Sequence, residues 1–271
     1  MSGPYALQDL STVKRVGVLG DLHGDMLHLR ELSYEMRQRG CSVLVSTGDL
    51  CLVDSRPEHS KLLWASKILA SQGQTLLFVD GNMDRHSDLY EYPVDRSGYR
   101  WVASNMAHLP RGFRAKIAGG RTLAALGGAA SVDRPRMRYL ETVSPDDLLA
   151  LGADPADILI GHDAPAPWPA LDTQLETIGS WTADALAYAA EGRRMFTRGF
   201  LAVRPKLYIG SHFHMHLDET LEFGDGDHRF ASRVVLLGAS SNHAEFSQGI
   251  LNFETLAFEA FSLDADGTWL R

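Results

Sequence analysis

A short apolar run passes directly into glycine and then into an Asp and a His in the sequence Val18-Leu19-Gly20-Asp21-Leu22-His23-Gly24-Asp25. The residues from 15 to 19 are typical of a buried strand. An amphipathic stretch over residues 25–39 follows, and Gly40 is expected to end a helix there. This order predicts a βα unit whose polar side chains lie where the strand ends.

Four further apolar runs end in the same way, with a glycine followed closely by an Asp, an Asn or a His. They are Ser46-Thr47-Gly48-Asp49, Val79-Asp80-Gly81-Asn82, Ile160-Gly161-His162 and Ile209-Gly210-Ser211-His212-Phe213-His214. One strand followed by Gly-Asp is a common pattern and a weak signal by itself. Because the carboxyl ends of strands line one crevice in open α/β sheets, all five runs together predict a shared site.

The side chains at these strand ends form a set of metal-type ligands. The set is Asp21, His23, Asp49, Asn82, His162, His212 and His214. Imidazole and carboxylate donors suit Zn, Mn and Fe alike, and the lack of thiolates argues against a purely structural zinc site. The set is larger than one tetrahedral ion needs. A carboxylate that bridges two divalent ions, about 3.5–4 Å apart, would use it well, and such pairs serve in-line phosphoryl displacement.

The rest of the chain alternates between strand and helix patterns, which predicts a largely parallel sheet and a single domain over residues 1–271. Further strands are expected over residues 42–46, 75–79, 157–160 and 206–209, and helices over 58–71 and 183–200. The sequence Ser144-Pro145-Asp146-Asp147 is typical of a helix start. We expect antiparallel hairpins between residues 99 and 128, a stiff loop over 164–169 and a β-rich tail over 217–263.

The composition argues against several classes of protein. The chain has 271 residues, with 26 Lys and Arg against 34 Asp and Glu, so its formal charge is −8. This acid excess disfavours a protein that coats nucleic acid, because a phosphate backbone is bound by a basic surface. The 2 cysteines indicate neither a disulfide framework nor a zinc cluster. No signal peptide or stretch of about 18 apolar residues is recognisable, so we expect a cytoplasmic protein without a membrane partner.

The ordered motifs resemble those of the calcineurin-like metallophosphoesterases. That family has the order D-x-H, G-D, G-N-H-[DE], a lone G-H and G-H-x-H, and the five runs above follow it from about residue 15 to residue 216. The resemblance implies an α/β fold, a four-layer αββα sandwich in which two mixed β-sheets are flanked by helices. It also implies two divalent transition-metal ions (Mn, Fe or Zn) in the site.

The resemblance assigns each ligand to an ion. One ion would be held by Asp21, His23, Asp49 and His214. The second would be held by Asp49, Asn82, His162 and His212, with Asp49 as the bridge. As catalytic residues it implies Asp49, Asn82 and His162, with Asp84 in the acidic position of the third motif.

The chain departs from the family pattern at the third and the last motif, and the first of these departures bears on the substrate. Met83 stands where most members have the histidine that helps to protonate the leaving oxygen, and a thioether has no proton to give. The chain thus resembles phosphodiesterase-type members that lack this histidine. We hypothesise that His86 supplies the missing acid, although a loop histidine is more often a solvated surface residue. The last motif carries one extra residue, Ser211.

The sequence therefore predicts a hydrolase of small phosphoesters, most directly phosphodiesters, that uses a metal-bridging hydroxide at a two-metal site. The alternatives are a phosphomonoesterase or nucleotide hydrolase on the same site, and a non-catalytic interaction module that keeps the fold. Nucleic acid is a disfavoured partner, and the sequence does not indicate an oligomeric state. Arg134, Arg136 and Arg138 would either clamp a substrate phosphate or form a solvated loop.

Overall fold

The computed structural model describes residues 9–53, 61–132, 140–240, 246–263 and 269–270. The helices in these ranges are α1 (Met26–Gln38), α2 (Lys61–Ser71), α3 (His86–Leu89), α4 (Pro145–Leu151), α5 (Pro169–Leu175) and α6 (Ala183–Val203). The strands are β1 (Arg15–Leu19), β2 (Val43–Ser46), β3 (Thr75–Phe78), β4 (Arg100–Ala103), β5 (Met106–His108), β6 (Arg114–Ile117), β7 (Arg121–Leu126), β8 (Ile158–Gly161), β9 (Leu207–Gly210), β10 (Leu217–Phe223), β11 (Phe230–Leu236), β12 (Gln248–Asn252), β13 (Phe258–Leu263) and β14 (Trp269–Leu270).

The strands form two mixed sheets. The larger sheet has the order β14-β13-β12-β1-β2-β3-β5-β4, and its strands β1, β2 and β3 are parallel. The smaller sheet has the order β10-β11-β9-β8-β7-β6, and its strands β7, β8 and β9 are parallel. The carboxyl ends of parallel strands form one edge of each sheet, which is where open α/β sheets bind ligands.

The two sheets pack face to face, and helices cover their outer faces. Val18 and Val45 of the larger sheet share one buried apolar cluster with Ile160 and Ile209 of the smaller sheet. A second cluster joins α1 and α2 to the larger sheet, and a third joins α4, α5 and α6 to the smaller one. This arrangement confirms the expected four-layer αββα sandwich.

Local sequence rules account for the helices that flank the site. Asp25 caps α1 by accepting hydrogen bonds from two backbone N–H groups of its first turn. Met36 of α1 is fully buried, and it fits because the facing strand carries Gly17, where a Cβ would lie 2.5 Å from the Met36 sulfur. Ser144 and Asp147 form a capping box at the start of α4.

Some expectations differ from the structure or lie outside it. The pattern does not predict α5, which begins at Pro169, the last residue of the expected stiff loop. The helix predicted over 58–71 is present over Lys61–Ser71, and residues 54–60 lie outside the described residues. Arg134, Arg136 and Arg138 also lie outside them. The single domain stays a prediction. Within the described ranges, every helix is too short or too polar to cross a bilayer.

A buried ion pair joins the two sheets behind the strand ends. Asp80 follows β3 of the larger sheet, and Arg111 precedes β6 of the smaller one. Arg111 Nη2 lies 2.6 Å from Asp80 Oδ2, and both side chains are buried. His86 and His108 place Nε2 at 3.1 and 3.0 Å from the same carboxylate. Burial alone would raise the pKa of Asp80, but the Arg111 guanidinium and the hydrogen bonds from His108 and His86 hold it well below its usual range.

We expect Arg111→Met to lower the free energy of unfolding by about 3–5 kcal/mol, because Asp80 would stay buried without its cation. Lys14→Met removes an exposed ion pair to Glu254 and should cost about 0–1 kcal/mol. Urea unfolding at pH 7 measures the free energy of unfolding of both variants. Equal losses would contradict a stabilising role for the buried Asp80–Arg111 pair.

Because the pKa of Asp80 is depressed, the ionised carboxylate stabilises the fold at neutral pH, and this stabilisation declines as the pH falls below about 4.

Candidate metal centre

The predicted ligands come from both sheets and meet at one place. They follow β1, β2 and β3 of the larger sheet and β8 and β9 of the smaller sheet, and they are Asp21, His23, Asp49, Asn82, His162, His212 and His214. Neither sheet alone supplies the whole set. The packing of one sheet on the other therefore creates the site.

One group of ligand atoms belongs to Asp21, His23 and His214, and these atoms lie within 4.8 Å of one another. His23 Nε2 is 2.9 Å from His214 Nε2, and His214 Nε2 is 3.3 Å from Asp21 Oδ2. When two neutral imidazole nitrogens face each other, one of them must act as donor and the other as acceptor. A cation at this position would instead use the lone pairs of both rings.

A second group belongs to Asp21, Asp49 and His162. His162 Nε2 lies 3.5 Å from Asp49 Oδ2 and 3.0 Å from Asn82 Oδ1, so Asn82 adjoins this group. The ring of His212 has its centroid 5.1 Å from that of His162. Asp21 takes part in both groups, whereas the resemblance gives the bridging position to Asp49.

His162 is held in one orientation. Its Nδ1 lies 2.9 Å from the carbonyl oxygen of Thr47, and since a carbonyl only accepts, Nδ1 carries a proton and Nε2 faces the site. Burial alone would lower the pKa of His162, but the charges of Asp49 and Asp21 raise it to about 10. The same negative charges that favour a proton on Nε2 would favour a metal cation in its place.

The two buried carboxylates differ in their electrostatics. Burial raises the pKa of Asp21 to about 7, because His162 offsets only part of the cost of removing its charge from water. Burial acts on Asp49 as well, but the charge of His162 and the N–H of Met83, 2.7 Å from Oδ1, lower its pKa to about 2. For His212, burial and the charge of His162 lower the pKa to about 3. Its ring is therefore neutral and able to act as a ligand.

These residues fit a divalent metal ion. Asp21 Oδ1 is buried and has no hydrogen-bond partner, which costs free energy unless a proton or cation satisfies it. The donors are carboxylate, imidazole and amide oxygen, which suit Mn, Fe and Zn. The structure thus contains both an unsatisfied acceptor and the ligands that would surround a cation there.

Backbone strain is concentrated at the same place. Seven described residues other than glycine have a positive φ, and five of them are His23 (49°), Asp49 (47°), Cys51 (54°), His212 (68°) and His214 (54°). This conformation costs free energy for residues with a Cβ and typically marks functional sites. Gly81 is also required, because a Cβ there would lie 2.1 Å from Asp49 Oδ1.

The extra residue of the last motif, Ser211, contacts the turns that carry other candidate ligands. Ser211 is fully buried, and its Oγ accepts a hydrogen bond of 2.8 Å from the Thr47 hydroxyl. It also lies 3.3 Å from His162 Nδ1. Ser211 therefore connects the turn after β9 with the turns after β2 and β8, a role that its position in the motif alone does not predict.

The residues in and just after the third motif have different surroundings. Met83 is half-buried and lines the cavity above the ligands. Asp84 is buried, and its two oxygens accept hydrogen bonds from the backbone N–H groups of Cys51 and Gly81. His86 is buried with Nε2 3.1 Å from Asp80, so it is not a solvated surface residue, and it does not face the cavity. Its role as a general acid stays a prediction that this geometry does not favour.

A cavity of about 510 Å³ lies over the ligands. His23, Asp49, Asn82, His212 and His214 form its floor. Its walls include residues that the sequence analysis missed, which are Asp163, Leu175, Ile178, Trp181, Leu186, Arg193 and Phe213. Two of these residues, Asp163 and Phe213, have a local signal in the sequence, because they lie beside motif histidines. The others come from α5, α6 and their connection, far from every motif.

Solved structures share this fold. The protein TT1561 of Thermus thermophilus is 14% identical, with a TM-score of 0.51 over 93% of this chain and 99% of that one. A dimetal phosphatase from Danio rerio is 11% identical, with a TM-score of 0.52 over 92% and 96%. GAP50, the anchor in the inner membrane complex of Plasmodium, is 15% identical, with a TM-score of 0.50 over 95% and 87%. At such identities the likeness establishes the fold alone.

Sequence comparison adds the family. Curated protein sequences give no match to the chain. The family model of calcineurin-like phosphoesterases, however, matches residues 14–216, which span every strand end that carries a candidate ligand. Because this match covers most of the chain, the protein belongs to the calcineurin-like phosphoesterase family.

Proposed function

We propose that the protein is a metal-dependent hydrolase of small phosphoesters, with phosphodiesters as its preferred substrates and two divalent ions in its site. The observation that carries the proposal is the buried, unsatisfied Asp21 Oδ1, which lies 3.7 Å from the imidazole of His162, while Oδ2 of the same carboxylate lies 3.3 Å from His214 Nε2. A buried carboxylate oxygen without a hydrogen-bond partner supports the proposal of a bound cation, because a cation would satisfy it. Family membership supports phosphoester hydrolysis as the chemistry.

The residues of the chain would hold and orient the reactants. When bound, divalent ions supply Lewis-acid activation of water and of the phosphoryl oxygens. Asp49 and Asp21 provide the negative charge that retains the cations, and His162 is fixed by Thr47 so that Nε2 faces them. Asn82 Oδ1 lies 3.0 Å from that nitrogen and completes the inner side of the site. Because hydrogen bonds hold these groups in place before substrate arrives, little reorganisation would accompany the reaction.

The preference for diesters follows from the third motif. Met83 faces the cavity but has no proton to donate. Both oxygens of Asp84 accept from backbone N–H groups, and His86 faces Asp80. With no motif residue offering a proton to a leaving oxygen, esters with good leaving groups would be favoured. General acid catalysis is typically worth about 10²–10⁴-fold.

The proposal includes the surroundings of the enzyme. We propose a cytoplasmic location, since Cys41 and Cys51 are both free and Cys41 is buried as an apolar residue. A small phosphoester fits the cavity of about 510 Å³ better than a nucleic acid, which the net charge of −8 disfavours.

Asp49→Asn should reduce the bound metal content and lower hydrolysis of bis(p-nitrophenyl) phosphate by about 10²-fold or more, because one retaining charge is lost. The asparagine oxygen can still accept from the Met83 N–H, so the fold should persist. Elemental analysis and initial rates in Mn²⁺ measure the two effects.

Asp95→Asn is the matched control, because its carboxylate contacts Trp101 rather than the site. It should keep wild-type metal content and activity. Full activity in metal-depleted Asp49→Asn protein would refute the scheme. Wild-type protein that binds metal yet hydrolyses neither diester nor monoester would favour the interaction-module alternative.

Met83→His should raise the hydrolysis of phenyl phosphate relative to bis(p-nitrophenyl) phosphate by about 10-fold or more, because it adds a proton donor that faces the cavity and phenoxide, unlike p-nitrophenolate, needs a proton to leave. Met83→Gln has a similar length and no acidic proton, so it should leave the ratio near that of wild type. The ratio of the two kcat/KM values measures the effect. Similar ratios for both variants would remove Met83 as the cause of the diester preference.

A further inference from the structure

The cavity over the ligands has two chemically different ends. Its floor consists of the carboxylates and imidazoles described above, whereas α6 and the connection before it form an apolar wall. The large apolar residues of this wall are Ile178, Trp181 and Leu186, joined by Leu175 of α5, and the small Ala189 and Ala190 of α6 also line the cavity. An apolar wall with a few convergent polar groups is the usual form of a ligand pocket.

The apolar wall is open to solvent. Ile178 is 45% exposed, Trp181 39% and Leu186 51%, although all three line one cavity. Scattered exposed apolar residues need no explanation, but a contiguous set beside a concave site typically marks a binding surface. The set adjoins the ligands directly, so anything bound at the floor would extend along it.

Close packing at two glycines positions the apolar wall. Gly179 has a φ of +69°, and a Cβ there would lie 3.0 Å from the indole nitrogen of Trp181, so the turn folds back under the ring. At Gly192 a Cβ would lie 2.5 Å from the Cβ of Ala130, which shows how closely α6 approaches the loop after β7. The close packing of α6 leaves Ala189 and Ala190 facing the cavity.

The charged residue beside the apolar wall, Arg193, is already hydrogen-bonded within the protein. Arg193 lines the cavity, but its guanidinium donates to Asp172 Oδ1 at 2.6 Å and to the carbonyl oxygens of Ala164 and Pro165. It therefore holds α6 to α5 and to the loop after His162. Among the described wall residues, no other Lys or Arg faces the cavity to receive a second anionic group.

We propose that this apolar wall binds an apolar alkyl or aryl ester group of the substrate, so that Trp181 and Leu186 determine specificity. The inference rests on the proposed function, because the phosphoryl group would sit over the ligands and one ester substituent along α6. It narrows the substrate class to phosphoesters of a hydrophobic alcohol.

A series of alkyl p-nitrophenyl phosphates tests the inference with the Mn²⁺-loaded protein below the critical micelle concentration. Full burial of a methylene is worth about fourfold, and an open wall should give about twofold per methylene. We expect kcat/KM to rise on the order of 100-fold from the methyl to the octyl ester. Trp181→Ala and Leu186→Ala should each lower the octyl-to-methyl ratio about tenfold.

Leu201→Ala is the matched control, because Leu201 is an exposed leucine of the same helix that does not line the cavity. It should keep the wild-type ratio. A flat series in wild type, a ratio unchanged in both wall variants, or a better rate with p-nitrophenyl thymidine phosphate than with the octyl ester would each overturn the inference.

A binding measurement separates this inference from the proposed function. Octylphosphonate and methylphosphonate carry a P–C bond that the enzyme would not hydrolyse, and calorimetry measures their affinity without turnover. If octylphosphonate binds more tightly than methylphosphonate and Leu186→Ala reduces this difference, the result would support binding at the apolar wall even if no ester is hydrolysed. Hydrolysis of diesters with equal affinity for both phosphonates would leave the function standing and remove the inference.

Discussion

Two carboxylates, Asp21 and Asp49, lie side by side in the buried space where the two sheets meet, and the architecture of the site depends on their unfavourable proximity. Removing a carboxylate from water is costly, and a second negative charge nearby adds to the cost. Burial raises the pKa of Asp21 to about 7, whereas His162 and the Met83 N–H outweigh burial for Asp49. The site is thus held in a state that a bound cation would relieve.

The surrounding backbone is shaped by the need to bring these groups together. Asp49 itself adopts a left-handed conformation, and Gly81 leaves no room for a side chain beside it. Such strain persists only where the packing around it is rigid. The shared apolar cluster between the sheets supplies that rigidity, because it fixes both sets of strand ends relative to each other. The packing that stabilises the core therefore also fixes the geometry of the site.

The strand ends and the meeting of their polar side chains could be predicted because each signal is local: an apolar run, a glycine and a polar side chain within a few residues. The helix α5 and the apolar wall could not, because Trp181 and Leu186 gain their meaning only from contacts across the fold. Ser211 is an intermediate case. Its insertion was visible in the sequence, but its contacts with Thr47 and His162 depend on two other strands.

The position of His86 shows why spacing in the sequence is weak evidence for a chemical role. Three residues beyond Met83, it lies in α3, but its ring bonds Asp80 behind the strand ends instead of facing the cavity. Asp80 and Asp49 both follow parallel strands of one sheet and are both buried. For Asp80 the chain supplies Arg111 as a permanent cation, whereas the ion-pair partner that the described residues give Asp49 is the imidazole of His162. A buried carboxylate with a fixed arginine is electrostatically complete and serves the fold. Asp49, whose ion-pair partner is a titratable imidazole, retains the capacity to bind a cation, and that difference separates the two buried acids at this edge of the sheet.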